Sequence, residues 1–163
     1  MKQIKVQPLS REAFFPFGEF YEMTSPDGYP LCGAIHKFYP DRLTTSCQGR
    51  LAFSPLVVQR QERTVITQQE YHTTTEELIM PLDDDMILHV APASGGAIVT
   101  DHAKAFLVPK NTLVKLKAAV WHLAPLPATQ AQLTALIILP ECTYANDCTV
   151  VDLSPDEQFE IVK

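Results

Sequence analysis

The sequence predicts a mainly β protein, an antiparallel sandwich or barrel, in a single domain spanning residues 1–163. Its 13 prolines are spread along the chain, and proline interrupts both helices and central strands. Short apolar, β-branched segments recur at regular spacing between turns. At 163 residues, with 46% hydrophobic and 20% charged residues, the chain has the size and composition of one globular domain.

The strands are predicted from short apolar segments. Apolar and basic side chains alternate over residues 112–117, which is typical of a strand with one buried face. The predicted strands cover residues 56–60, 63–68, 78–81, 86–91, 97–100, 103–108, 112–117 and 132–139. The acidic residues 83–85 separate two of these segments and predict a hairpin turn. A calcium loop is disfavoured there, because the Gly and distal Glu of an EF-hand are missing.

Two short helices are expected at the periphery. Ser10 is a good N-cap for the first helix, which Phe14, Phe15 and Phe17 would anchor. Near the C-terminus, Ser154 precedes a proline and two acidic residues, which indicates a second helix of one or two turns.

Charge and cysteine usage narrow the class of function. The net charge of −6 gives no reason to bind nucleic acid or an anionic membrane. The sequence has no run of about 18 apolar residues and no apolar signal segment at its start, so a cytoplasmic protein is expected. The four cysteines form no Cys-x-x-Cys pair, which disfavours a zinc finger and favours free thiols.

Two separate segments carry the candidate site residues. Glu70 and His72 point the same way if they lie on one strand, because side chains alternate across a strand. Glu76 or Glu77 follows a short polar turn, and strand parity does not decide between the two. His122 comes about fifty residues later. Two imidazoles and two carboxylates that met in one pocket could bind a divalent metal ion or perform acid–base chemistry.

The same parity places other polar residues away from this pocket. His122 shares the buried face of the strand over residues 112–117, and Lys115 and Lys117 lie on the opposite face. Both lysines are therefore weak candidates for binding an anionic substrate, and Arg60 is a further candidate. The remaining histidines, His36, His89 and His102, are expected to be surface residues or hydrogen-bonded ones.

The candidate residues resemble the metal-site pattern of the cupin superfamily. That pattern has two histidines separated by one residue, then a Glu three or four residues on, then a third histidine on a later strand. His72, Glu76 or Glu77, and His122 match the last three positions, and Glu70 replaces the first histidine.

A narrower resemblance is to the ureidoglycolate lyases. It extends over most of the chain, with its strongest part in residues 70–81 and further parts in residues 8–18, 105–106, 120–122 and 148–152. Two positions depart from the family pattern: Leu123 stands where a second His is frequent, and Leu116 stands near a family Tyr.

The resemblance implies a fold, an activity and a set of site residues. The fold is the cupin barrel, a double-stranded β-helix with one or two short peripheral helices. The activity is a C–N lyase reaction on a small carboxylate, in which urea leaves ureidoglycolate to give glyoxylate. His72, Glu77 and His122 would be catalytic, and Glu70 and Trp121 would contact the substrate.

The resemblance also bears on cofactors and partners. The same three residues, His72, Glu77 and His122, would bind a divalent metal ion such as Zn, Mn, Ni or Fe, with no organic cofactor. Cupins of this kind are usually homodimers. The departures at Leu116 and Leu123 leave two alternatives open: another cupin enzyme, such as a sugar or hydroxy-acid isomerase, or a non-catalytic cupin that binds a small ligand.

Overall fold

The structure is a computed structural model that describes residues 1–47 and 49–163. The strands are Lys2–Pro8 (β1), Gly18–Glu22 (β2), Leu31–Cys32 (β3), Lys37–Phe38 (β4), Leu51–Gln59 (β5), Thr64–Ile66 (β6), Gln68–Tyr71 (β7), Glu77–Pro81 (β8), Met86–Ala91 (β9), Lys104–Val108 (β10), Thr112–Leu116 (β11), Trp121–His122 (β12), Leu126–Pro127 (β13), Gln132–Pro140 (β14), Thr149–Asp152 (β15) and Phe159–Val162 (β16). The helices are Arg11–Phe14 (α1), Thr143–Asn146 (α2) and the 3-10 turn Thr100–His102. No helix in the described part of the chain is long and apolar enough to cross a membrane.

The central strands form a long hairpin that is wound into a barrel. One arm runs through β7, β8 and β9, and the other returns through β10, β11 and β12. The arms pair antiparallel as β9 with β10, β8 with β11 and β7 with β12. Successive strands of each arm alternate between a large sheet, which contains β7, β9, β10 and β12, and a smaller one, which contains β8 and β11. This pairing is a double-stranded β-helix, and the predicted cupin-type barrel is confirmed.

The inner core lies between the two sheets. Alternate residues of β9 and β11 point inward, so Leu88, Val90, Val114 and Leu116 are buried together. Helix α1 adds Phe14, which packs edge-to-face against Phe106 with ring centroids 5.2 Å apart. The helix begins as predicted, because the Ser10 hydroxyl accepts a hydrogen bond from the Ala13 N–H.

A second core covers the outer face of the large sheet. Strand β1 lies between β10 and β16, and β6 pairs with β16, so this part of the sheet folds over the rest. The strand residues that point away from the inner core fill this space, and Trp121, Phe159, Ile87 and Ala105 are buried there. The large sheet is therefore apolar on both faces, which leaves few places where polar side chains can meet.

The structure corrects the predicted hairpin at residues 83–85. Strands β8 and β9 lie in different sheets and do not pair with each other. The acidic residues form the corner where the chain passes from one sheet to the other. Asp84 is buried and accepts hydrogen bonds from the backbone N–H groups of Thr129 and Gln130 and from the Thr129 hydroxyl. Asp83 and Asp85 similarly accept from the backbone of residues 134 and 110. These bonds attach the corner to loops from other strands.

Two further local predictions were wrong. Residues 97–100 are not a strand, since they lead into the 3-10 turn Thr100–His102. Residues 155–157 form a turn and not a helix, although the predicted cap is present. The Glu157 carboxylate accepts hydrogen bonds from both the backbone N–H and the hydroxyl of Ser154. The capping residues therefore bond to each other within the turn, and no helix follows. The observed second helix, α2, precedes β15 instead.

Candidate functional site

Four polar side chains converge at one end of the barrel. Glu70 on β7 lies opposite His122 on β12 in the antiparallel register. His72 directly follows β7, and a four-residue turn leads to Glu77, the first residue of β8. One ligand atom from each of these residues lies within 4.8 Å of the others. His72, Glu77 and His122 are at most 4% exposed, and Glu70 is half-buried.

One carboxylate oxygen of Glu77 is the centre of this cluster. Its Oε2 lies 3.0 Å from His72 Nε2 and 2.7 Å from His122 Nε2. The other nitrogen of each ring faces a main-chain carbonyl, which can only accept a hydrogen bond. His72 Nδ1 donates to Asp147 O over 2.8 Å, and His122 Nδ1 donates to Val120 O over 2.9 Å. Both rings therefore present Nε2 to Glu77.

The electrostatics follow from this geometry. Burial opposes ionisation of Glu77, but the two neighbouring imidazoles overcome it and lower the pKa of Glu77 to about 2. Burial also disfavours a charged His122, but the carboxylate of Glu77 outweighs it and raises the pKa of His122. Glu70 adds to the effect, with its Oε1 3.8 Å from His122 Nε2. The cluster therefore favours an ionised carboxylate beside positive charge.

The four side chains fit a divalent metal ion. Zinc in its usual tetrahedral site binds imidazole nitrogen and carboxylate oxygen at about 2.0–2.2 Å, so its ligand atoms stand about 3.4 Å apart. The separations of 3.0 and 2.7 Å at Glu77 Oε2, and of 3.8 Å between His122 Nε2 and Glu70 Oε1, lie on either side of this value. Histidine ligands also typically donate their other N–H to a carbonyl, as His72 and His122 do here.

Asp147 is a site residue that sequence reasoning missed. Its carbonyl orients His72, and its carboxylate accepts four hydrogen bonds from the turn between His72 and Glu77. The donors are the N–H groups of Thr73 and Thr74 and the hydroxyls of Thr74 and Thr75, all 2.7–3.0 Å away. Partial burial opposes ionisation, but these bonds lower the pKa of Asp147 to about 2.

Two other residues border the cluster. The Cys148 thiol donates to Glu70 Oε2 over 3.5 Å, and burial together with this carboxylate raises the pKa of Cys148 to about 11. The ring of Tyr144 on α2 stands edge-on to His72, with ring centroids 6.2 Å apart. For Cys148 the sequence did offer a signal, because residues 148–152 belong to the part of the chain that resembles the ureidoglycolate lyases. In the structure, β15 pairs with β7 and brings Cys148 to this site.

The structure separates the remaining candidates from this site. Glu76 accepts a bond from the Thr45 hydroxyl and faces Lys115 on the outer side of the small sheet. Trp121 points away from His122 into the outer core, where it is fully buried, contacts the Tyr71 ring and donates to Ser94 Oγ. This placement on the other side of the sheet disfavours the expected contact between Trp121 and a substrate at the cluster, because adjacent strand residues face opposite ways.

The candidate cations are also occupied elsewhere. Lys115 Nζ lies 2.6 Å from Glu19 Oε1 and donates to Thr44 O. Lys117 donates to Phe15 O and lies over its ring, and Arg60 donates to Thr129 O. Within residues 1–47 and 49–163, the ion pairs of Glu70 and Glu77 are made by His72 and His122 and by no lysine or arginine.

The histidines outside the cluster differ from one another. His36 and His102 are exposed, as expected. His89 is fully buried in the outer core: its Nδ1 faces Gln69 Nε2 at 3.3 Å, and its Nε2 has no hydrogen-bond partner within the described residues. Burial lowers the pKa of His89 to about 4, so the ring is neutral.

Comparisons with known proteins show which families the chain belongs to. The ureidoglycolate lyase of Rhodobacter capsulatus is 30% identical over 138 residues, which cover 78% of this chain and 82% of that relative. The chain belongs to the ureidoglycolate lyase family. The family's proteins from Mesorhizobium japonicum and Stutzerimonas stutzeri are 28% and 24% identical and cover 80% and 98% of this chain, and the chain covers 83% and 95% of them. It also belongs to the family described as "Domain of unknown function (DUF4867)", whose model matches residues 59–159.

The matches among solved structures include a sugar isomerase and an oxalate decarboxylase. The dTDP sugar isomerase of Desulfovibrio desulfuricans matches with a TM-score of 0.49 and 10% identity, over 86% of this chain and 85% of that one. An oxalate decarboxylase matches with a TM-score of 0.45 and 19% identity, over 64% of this chain and 24% of that one.

Proposed function

We propose that this protein is a ureidoglycolate lyase, which eliminates urea from ureidoglycolate and releases glyoxylate. The observation that carries the proposal is the convergence of Glu70, His72, Glu77 and His122 in one buried cluster, in a chain of the ureidoglycolate lyase family. A cluster of imidazoles and carboxylates can move protons and hold a cation, and this reaction needs both.

The reaction moves one proton from oxygen to nitrogen. The reacting carbon of ureidoglycolate bears a hydroxyl, a carboxylate and the ureido nitrogen. When the hydroxyl loses its proton, the oxygen forms a carbonyl with that carbon, and the C–N bond breaks with its electron pair going to nitrogen. The nitrogen takes up a proton and leaves as urea, and no oxidant or water is consumed.

We propose that His72, Glu77 and His122 hold a divalent metal ion, with Zn, Mn, Ni and Fe as the candidates. The carboxylates of Glu70 and Glu77 would repel a substrate carboxylate. Lys115 and Lys117, the basic residues closest in sequence to His122, are engaged elsewhere. A bound divalent ion would offset this negative charge, attract the substrate carboxylate and lower the pKa of its hydroxyl. The rings of His72 and His122 are already oriented for this role by their Nδ1 bonds.

Glu70 is then the group that remains to transfer the proton. It is half-buried and less tightly bonded than Glu77, with one oxygen 3.8 Å from His122 Nε2 and the other 3.5 Å from the Cys148 thiol. Its carboxylate would accept the hydroxyl proton and return it to the departing nitrogen. A positioned acid–base group of this kind contributes about 10²–10⁴-fold to the rate.

The direct test measures glyoxylate release from ureidoglycolate by the purified protein. Glu77→Gln should lose activity by at least about 10²-fold and lose bound metal in elemental analysis, because the central ligand is gone. Glu76→Gln is the matched control, because the Glu76 carboxylate faces Lys115 on the other side of the sheet. This variant should retain both glyoxylate release and bound metal. Absence of glyoxylate release by the wild type, or full activity in His122→Ala, would refute the assignment.

We also propose that the protein is a homodimer that uses the exposed edge of β5. This strand lies at the end of the small sheet, and its outward row includes the exposed apolar residues Leu51, Phe53 and Val57. Light scattering should give twice the 18.2 kDa chain mass for the wild type. The variant Phe53→Glu should give the mass of a single chain. A monomeric wild type would refute this assembly.

A further inference from the structure

A mainly apolar cavity lies beside the polar cluster. Its volume is about 400 Å³, within the range of small-molecule sites. It is formed by β5, β14 and α2, and its walls include Ala52, Leu56, Ile137, Leu139 and Tyr144. No charged side chain lines it among the residues that the structure describes. A cavity of this composition favours an apolar group over the polar ends of ureidoglycolate.

Strand register connects this cavity to the cluster. β8 and β14 pair antiparallel from Ala135 opposite Pro81 to Ile138 opposite Leu78, and the next step of that register sets Leu139 beside Glu77. Leu139 in turn pairs with Ala52 on β5. Side chains directly opposite each other share one face of a sheet, so Glu77, Leu139 and Ala52 form one row on the inner face.

Tyr144 forms a border between the two regions. Its ring lies edge-on to His72 and also lines the cavity, and 64% of the residue is exposed. A molecule that reaches the cluster along this side would pass the Tyr144 ring and touch the apolar wall.

We propose that the cavity lined by Ala52, Leu56, Ile137, Leu139 and Tyr144 is a subsite for an apolar substituent on the nitrogen end of the substrate. This inference rests on the proposed lyase function, because the carboxylate and hydroxyl of the substrate then belong at the metal-binding cluster. The ureido end points away from the reacting carbon, and its terminal nitrogen can carry an alkyl group without change to the bonds that break. The substrate class is therefore N-alkylated ureidoglycolates.

The test compares glyoxylate release from ureidoglycolate and from its derivative with a propyl group on the terminal nitrogen. The propyl derivative should have a kcat/KM about 60-fold higher, since each of its three buried carbons contributes roughly a fourfold preference. Ala52→Phe fills the cavity from β5 and should reduce this ratio to about 1. Ala145→Phe adds the same ring on the exposed part of α2 and should keep the ratio of the wild type.

A binding measurement separates this inference from the proposed function. Propylurea and urea are each titrated into the protein while the methyl resonances of Ala52, Leu56 and Leu139 are recorded by NMR. Propylurea alone should shift them, and Ala52→Phe should abolish the shift. Equal kcat/KM for both substrates with no methyl shift would overturn the subsite and leave the lyase function standing. Methyl shifts without glyoxylate release from either substrate would support the subsite and refute the lyase function.

Discussion

Replacing Asp147 with alanine tests how the metal-binding cluster is held in place. The carboxylate of Asp147 accepts four hydrogen bonds from residues 73–75, and its carbonyl accepts the Nδ1 proton of His72. The substitution removes the four side-chain bonds and keeps the carbonyl. The turn that carries Glu77 would then be free to move relative to His72.

The magnitude of the effect follows from the number of bonds and their exposure. Each bond of a half-exposed carboxylate contributes about 0.5 kcal/mol net, so the four together contribute about 2 kcal/mol to the free energy of unfolding. In a chain of this size, that corresponds to a fall in Tm of about 4–8 °C. Loss of a group that orients metal ligands typically lowers metal affinity 10–100-fold.

The assay combines three measurements on the same variants. Calorimetric titration with Zn²⁺ gives metal affinity, thermal unfolding gives Tm, and hydrogen exchange reports protection of the Thr73 and Thr74 amides. Asp84→Ala is the matched control, because Asp84 also accepts bonds from a turn, but at a corner attached to Thr129. It should lower Tm without a change in Zn²⁺ affinity.

The reasoning fails if Asp147→Ala loses amide protection and stability but binds Zn²⁺ as tightly as the wild type does. Asp147 would then stabilise the turn and have no part in positioning the ligands. If the alanine variant does not fold, the double variant Thr74→Val and Thr75→Val removes two hydroxyl donors without a change in side-chain size. It should lower Zn²⁺ affinity by a smaller factor.

Three further predictions concern titration, reactivity and metal content. The pKa of the buried His89 is about 4 in place of 6.5, so the unfolded chain takes up this proton first as the pH falls. The free energy of unfolding should therefore decrease by about 3 kcal/mol between pH 6.5 and pH 4. His89→Leu should therefore flatten the unfolding free energy measured between pH 6.5 and 4, and an unchanged slope would contradict the assignment. Cys148, with its raised pKa, should react with iodoacetamide at pH 8 more slowly than the exposed Cys32, and Glu70→Gln should speed its reaction, as followed by peptide mass spectrometry. Dialysis against a chelator should abolish glyoxylate release, and a divalent ion should restore it; full activity in metal-free protein would favour pure acid–base catalysis.

The sequence predicted the parts of the fold that depend on periodicity. The alternation in β7 correctly placed Glu70 and His72 on one side, and the alternation around β11 placed His122 on the buried face. The same rule, applied to adjacent residues, would have excluded Trp121 from the pocket, since it directly precedes His122. Glu77 could not be separated from Glu76 because the turn before β8 breaks the strand period.

Other features depend on contacts between residues far apart in the chain, and no local pattern reveals them. Asp147 and Tyr144 lie on or just after the short helix α2, yet they contact His72 more than seventy positions away. From the sequence alone, residues 83–85 predict a hairpin turn. In the structure they form a corner, because Asp84 accepts a hydrogen bond from the backbone of Thr129. His89 was expected to be hydrogen-bonded or exposed, and its Nδ1 does lie 3.3 Å from Gln69 Nε2. Its full burial could not be predicted, because the outer core that encloses it is completed by β1 and β16 from the two ends of the chain.

The winding of the barrel has a consequence for the order in which the molecule folds. The two arms of the long hairpin join near β9 and β10, while His72 and His122 lie where the arms end, at β7 and β12. Because nearby segments pair at lower entropic cost than distant ones, we expect zipping to start at that join and to reach the histidines late. Fluctuations that open the barrel would begin at β7 and β12, where the histidines lie. Activity would therefore be lost before the whole protein unfolds.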